Sequence, residues 1–226
     1  EYMGIPVSTE SRFRKAYFKW YQEDDADFVE EKKKLENIVL IDPAKTTEMH
    51  SAESAIVGLG VNVKAPKIFV RDIVAGKFHP DEIYQHAFNM ADMLKARVIG
   101  IEVTSLNEFI TYPLKTLMVQ QKRNYEIVEL KARAAKEDRI AMLIPFYRMG
   151  YVYHNNSVSG PLEAQLLSYP RSKRWDIMDA LAYVVEMLEM GGRYFLPNID
   201  ADEDEFDERQ FEDLETLPTL GEWRTM

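Results

Sequence analysis

Four branched apolar residues in a row, Ile38, Val39, Leu40 and Ile41, run directly into Asp42 and Pro43. A run without period-two alternation belongs to a strand covered on both faces, which demands layers of structure above and below it and so an α/β architecture. Pro43 has no N–H to give a neighbouring strand and ends the pairing. Asp42 is thereby expected at the carboxyl end of a central strand, where open α/β sheets place their ligands. Asp before Pro is also a common turn starter, so this stretch alone leaves both roles open.

The rest of the chain continues the alternation. Residues 54–63 and 66–76 read as strands two and three of an antiparallel meander, separated by a short turn with Asn62, Lys64 and Pro66. Apolar residues at 83, 87, 90, 91 and 94 have helical spacing, with Pro80 near the start. A buried strand over 97–103, a helix over 107–123, a strand over 125–130 and a helix over 136–150 closed by Gly150 follow. Residues 151–158 read as a short strand or hairpin arm, and 172–192 as a long final helix ending at Gly191 and Gly192. This order predicts an α/β fold with a mixed central sheet flanked by helices.

Composition narrows the chemistry. Zero cysteines among 226 residues exclude disulfides, thiolate zinc sites and a cysteine nucleophile. The histidines at 50, 79, 86 and 154 lack H-E-x-x-H spacing, so any metal would be held by oxygen. No apolar run reaches the ~18 residues of a membrane span and no signal peptide is evident, which implies a soluble, intracellular protein without a membrane partner. The net charge of −10 is uneven: ten acids between Asp200 and Glu215 face only Arg209, leaving the remaining chain near −1. Residues 193–226 thus read as an acidic tail, and the body retains room for a basic face.

A second strand ends like the first, with Glu102 after Val98, Ile99, Gly100 and Ile101. A right-handed crossover through the helix at 80–96 sets this strand parallel to the first, so Asp42 and Glu102 are expected to face each other at one sheet edge. Asp176 and Asp179, three apart, share a face in the first turns of the final helix. Helix-dipole and capping roles account for Asp176 more readily than for Asp179, which opens a strongly apolar stretch. Carboxylates gathered in one pocket repel unless a divalent cation neutralises them, and Asp/Glu oxygen ligation suits Mg²⁺ or Mn²⁺.

The element order, the acid in "IVLIDPA", the acid in "VIGIEVTS" and the late "LLSYPRSKRWDIMDALAYV" together resemble the nuclease domain of the large terminase subunit of tailed bacteriophages. The resemblance implies a ribonuclease H-like fold and a metal-dependent endonuclease that cleaves double-stranded DNA by a two-metal mechanism during viral genome packaging. It also implies two Mg²⁺ or Mn²⁺ ions held by Asp42, Glu102, Asp179 and Asp176, a small terminase subunit and a portal as partners, and action in the host cytoplasm outside the mature virion. Trp175 and Asp176 stand where many relatives carry two adjacent acids, which leaves open which helix aspartate is the ligand.

Residues 37–192 are expected to form this nuclease domain. Residues 1–36, rich in aromatics and then in charge, read as a lead-in from an ATPase domain whose G-x-x-x-x-G-K-[ST] loop the chain lacks. The initial Glu1 suggests a piece of a longer protein. DNA contacts are expected from Lys45, Lys131, Arg133, Lys136, Arg139, Arg171, Lys173 and Arg174. Competing readings are a junction resolvase or transposase core, using the same acids, and a catalytically inactive interaction module.

Overall fold

The computed structural model describes residues 12–44, 53–65, 67–103 and 108–190. The acidic tail, the final Gly191–Gly192 pair and Lys45 lie outside the described residues. Seven strands form one mixed sheet: β1 (Lys19–Tyr21), β2 (Glu36–Asp42), β3 (Ser54–Asn62), β4 (Lys67–Gly76), β5 (Val98–Glu102), β6 (Glu126–Leu130) and β7 (Val152–Asn155). Their spatial order is β1-β7-β4-β3-β2-β5-β6. The expected meander is present, with β2, β3 and β4 antiparallel, and β5 lies parallel to β2. The crossover that makes this pairing possible is α2 (Pro80–Leu94).

Successive side chains on a strand point to opposite faces, and the core divides accordingly. Val39, Ile41, Ile99 and Ile101 join Ala87, Phe88 and Ala91 of α2 and Leu114 of α3 (Glu108–Gln120) on one face. Ile38, Leu40 and Val98 point the other way, toward the final helix α7 (Asp176–Glu189). This is why the opening run needs no polar residue. Both of its faces are covered, and Ile38 to Ile41 have no measurable exposure.

Three helices share the α7 side: α4 (Lys136–Ala141), α5 (Leu143–Arg148) and α6 (Gly160–Ser168). The single helix expected over 136–150 is two, broken at Met142. Pro145 explains the break, because it cannot donate to the carbonyl of Ala141 and its ring crowds that oxygen. The expected closure at Gly150 is present: its φ of 66° lets Tyr151 N–H reach back to the Phe146 carbonyl. Helix α6 was not legible as a helix, although Pro161 at its start and buried Leu162 and Leu166 fit one.

The stretch expected as a lead-in is, from Arg12 onward, packed on this sheet. Strand β1 pairs parallel with β7 at the edge, and α1 (Ala26–Lys32) follows it. Phe13 is fully buried and meets the rings of Tyr147 and Tyr169 edge-on at 5.2 and 5.5 Å. A polar network centred on buried His154 ties the same elements together. His154 Nε2 lies 2.9 Å from the Tyr147 hydroxyl, its Nδ1 lies 2.9 Å from Glu163, and the Trp20 indole N–H donates to Glu163 at 2.7 Å. The neutral tautomer that satisfies both contacts donates from Nδ1 to the carboxylate and accepts the tyrosine hydroxyl at Nε2.

Burial holds the His154 pKa below its ordinary value, with Glu163 pulling the other way. The unfolded chain therefore takes up the proton first, so the network's contribution is complete above pH ~6.5 and is lost as pH falls from there. We expect His154→Gln to cost about 1–3 kcal/mol at pH 8, the scale of a broken buried hydrogen-bond pair. Urea midpoints of both proteins from pH 8 to pH 5 check this: the gap narrows in acid, and a pH-independent gap contradicts it.

Candidate metal centre

Asp42 and Glu102 lie one residue past the last bridged pair of β2 and β5, Ile41 and Ile101. Strand alternation puts Asp42 on the face of Ile38 and Leu40, and Glu102 on the face of Val98, so both carboxylates point toward α7. Two small residues keep this corner close. Ala55 is the antiparallel partner of Asp42 on β3. Gly100 lies under Leu40 and Leu130, whose side-chain carbons would stand 2.8 and 2.9 Å from any Cβ added there.

Helix α7 brings the third carboxylate. Asp179 is 1 % exposed, and one oxygen from each of Asp42, Glu102 and Asp179 lies within 4.8 Å of the others. Asp176 is buried one turn earlier. It is not needed as a helix cap, because the Gln165 side-chain oxygen accepts the N–H groups of Ile177 and Met178, both at 3.2 Å. That contact comes from α6, 12 and 13 residues earlier in the chain, and has no local sequence signature.

Two cations from α4 face the carboxylates. Arg139 donates from Nε and Nη2 to the two oxygens of Asp179, both at 2.8 Å, and stacks 4.4 Å over the Tyr183 ring. Lys136 Nζ lies 3.0 Å from Asp179, 3.3 Å from Asp42 and 3.4 Å from Asp176. Burial drives the Asp42 pKa well above the usual carboxylate range. Lys136 opposes this, while Glu102 and Asp179 reinforce it. Burial works against the charge on Lys136, but Asp42, Asp179 and Asp176 together outweigh it and hold the ammonium charged.

The structure therefore gathers Asp42, Glu102 and Asp179, with Asp176 at the rim. Four carboxylates against two cationic side chains leave an excess of two negative charges when all are ionised. An excess of that sign is what a divalent cation relieves, and the donor set is all carboxylate oxygen, the chemistry that Mg²⁺ and Mn²⁺ take.

The basic residues divide into two groups. Arg139, expected on a DNA-facing surface, is instead buried at 7 % exposure, because the inward Asp179 carboxylate requires a full counter-charge. Lys136 is likewise drawn into the carboxylate cluster. The i, i+3 spacing of the two is the available sequence signal for a shared face. Lys131, Arg133, Arg171, Lys173 and Arg174 are exposed. Arg174 pairs with Glu53 at 2.8 Å, and Arg133 lies 3.6 Å from Glu186. A cleft of about 610 Å³ opens beside the α7 N-terminus, lined among others by Gln165, Ser168, Ser172, Lys173 and Arg174.

No protein-family model and no curated protein matches the sequence significantly. Solved structures do match. The P22 large terminase nuclease domain superposes with a TM-score of 0.56 at 12% identity, covering 79% of this chain and 91% of that one. The human cytomegalovirus terminase nuclease domain, Mn-soaked and inhibitor-bound, gives 0.53 at 12% identity, covering 74% and 89%. The large terminase nuclease domain of bacteriophage SPP1 with bound Mn gives 0.51 at 10% identity, covering 76% and 96%. The ribonuclease H-like fold expected from the sequence is thus the fold of this chain.

Removing one partner of a buried ion pair strands the other charge. Arg139→Met should destabilise the protein by about 3–5 kcal/mol, the range for such losses. Asp42→Asn should do the reverse without metal, raising the melting temperature in EDTA at pH 7, because a carboxyl whose pKa is raised on folding opposes folding once ionised. The gain should vanish below pH ~4, where the unfolded carboxyl is also protonated. Thermal melts of both variants at pH 7 and pH 4 check the two signs, and an Asp42→Asn protein less stable than wild type at pH 7 contradicts the repulsion argument.

Proposed function

We propose that this chain is a metal-dependent endonuclease that hydrolyses phosphodiester bonds of double-stranded DNA during viral genome packaging. One observation carries the reading: three buried carboxylates from two parallel strands and one helix converge at the carboxyl end of the sheet. The sheet positions Asp42 and Glu102 rigidly, and Arg139 fixes the Asp179 carboxylate in both rotation and position. Asp42, Glu102 and Asp179 are assigned as the ligands of Mg²⁺ or Mn²⁺, with Asp176 a peripheral fourth. Two such ions, when bound, would activate a water and stabilise the leaving oxygen of the phosphodiester.

The chain's own side chains supply the rest. The burial that makes these carboxylates costly when unneutralised also strengthens their hold on a cation. Lys173 and Arg174 with Ser168 and Ser172 line the cleft beside α7 and suit a DNA backbone approaching the carboxylates from that side. Lys131 and Arg133 flank the site at the end of β6, and Arg171 lies in the approach to α7. Lys45, three residues past Asp42, is assigned to the scissile phosphate. The neighbours' terminase origin supports a packaging role in the host cytoplasm, with a small terminase subunit and a portal as partners.

Nicking of supercoiled plasmid with Mn²⁺ and with EDTA tests the reading. Asp42→Asn, Glu102→Gln and Asp179→Asn should each lower the rate by roughly a hundredfold or more, the scale of losing one preorganised charge at a reacting centre. Asp176→Asn should cost less. Full Mn²⁺-dependent nicking by Asp42→Asn sinks the assignment, and a larger loss for Asp176→Asn than for Asp179→Asn exchanges their roles. A four-way junction cut in preference to plasmid and linear duplex would move the substrate to branched DNA.

A further inference from the structure

Lys136 sits where a cation among these carboxylates would be expected to sit. Its ammonium contacts Asp42 at the end of β2 and both Asp176 and Asp179 of α7, at 3.0 to 3.4 Å. A divalent ion would need oxygens from the same groups at roughly 2.0–2.6 Å. The two cations therefore draw on the same lone pairs and repel each other across a poorly screened pocket.

Arg139 is not the residue that would yield. It makes two parallel bonds to Asp179 at 2.8 Å, is stacked on Tyr183 and has a side chain 8 % exposed. One edge of the Asp179 carboxylate can serve the guanidinium while other lone pairs remain for an ion. Lys136 makes longer, single-point contacts, and its side chain is 35 % exposed. Its four-carbon stem can carry the ammonium into water with little loss of packing.

Resting on the metal-centre reading, we propose that Lys136 is the site's internal counter-cation. It is a positioning residue that holds Asp42, Asp176 and Asp179 together without metal and is displaced when a divalent ion binds. Arg139 stays with Asp179 in both states. Metal affinity is accordingly set by competition with a charge the chain itself supplies. Loading the site releases that charge toward the mouth of the pocket.

Calorimetric titration of Mn²⁺ into the DNA-free 226-residue chain, with the free-Mn²⁺ resonance signal as a second readout, tests this without reference to cleavage. Lys136→Met should bind Mn²⁺ about tenfold more tightly than wild type, the effect of one competing charge. Lys136→Arg, which keeps the charge, should stay closer to wild type. The melting temperature of Lys136→Met should fall in EDTA, and saturating Mn²⁺ should raise it by more than it raises wild type. A purely structural lysine would lower the EDTA value without tightening Mn²⁺ binding. Lys136→Gln is the companion variant should the methionine disturb folding. Unchanged or weaker Mn²⁺ binding in the neutral variants, with wild-type binding intact, overturns the counter-cation role alone. Wild type that binds no Mn²⁺, or binds it as well as Asp42→Asn does, overturns the metal centre and this role with it.

Discussion

The mutual repulsion of carboxylates in a nearly dry corner of the protein is the constraint on which this structure turns. Asp42, Glu102, Asp176 and Asp179 are all buried, and each would prefer water. What holds them is the sheet and helix α7, whose apolar packing is extensive enough to impose the positions. Ile38 and Leu40 lock β2 against α7, while Val39 and Ile41 lock it against α2 on the opposite face. A strand gripped on both sides cannot turn its terminal acid away.

The remaining features answer to that corner. Lys136 and Arg139 partly neutralise it from α4, and they differ in how firmly they are held. Gln165 satisfies the amides at the start of α7, which frees Asp176 from capping and leaves its carboxylate directed at Lys136. Phe13 and the network of His154, Tyr147 and Glu163 fasten β1, β7, α5 and α6 into the layer that carries α7. Stability built at the far edge of the sheet thus supports the position of Asp179.

The parts legible in the sequence were those dictated by local pattern. An unbroken apolar run required a strand buried on both faces, the meander and crossover followed from run lengths, and alternation then aimed Asp42 and Glu102 the same way. The division of α4 from α5 was written in Pro145 but was overridden by the apolar spacing around it. Strand β1 escaped notice because three residues, two of them exposed, show no period. Helix α6 was obscured by its buried polar Gln165, whose purpose appears only with α7 in place. Arg139 and Lys136 read from the sequence as DNA-facing cations on one helix over 136–150; their i, i+3 spacing marks a shared face, but which way that face turns depends on Asp179, forty residues after Arg139.

Anomalous diffraction from crystals of the 226-residue chain soaked in Mn²⁺ tests most directly whether these carboxylates hold a metal. A peak is expected within ligand distance, ~2.2 Å, of oxygens from Asp42, Glu102 and Asp179, with the Lys136 ammonium withdrawn and Arg139 unmoved. No peak there at saturating Mn²⁺, with Lys136 still seated among the carboxylates, would contradict the metal assignment.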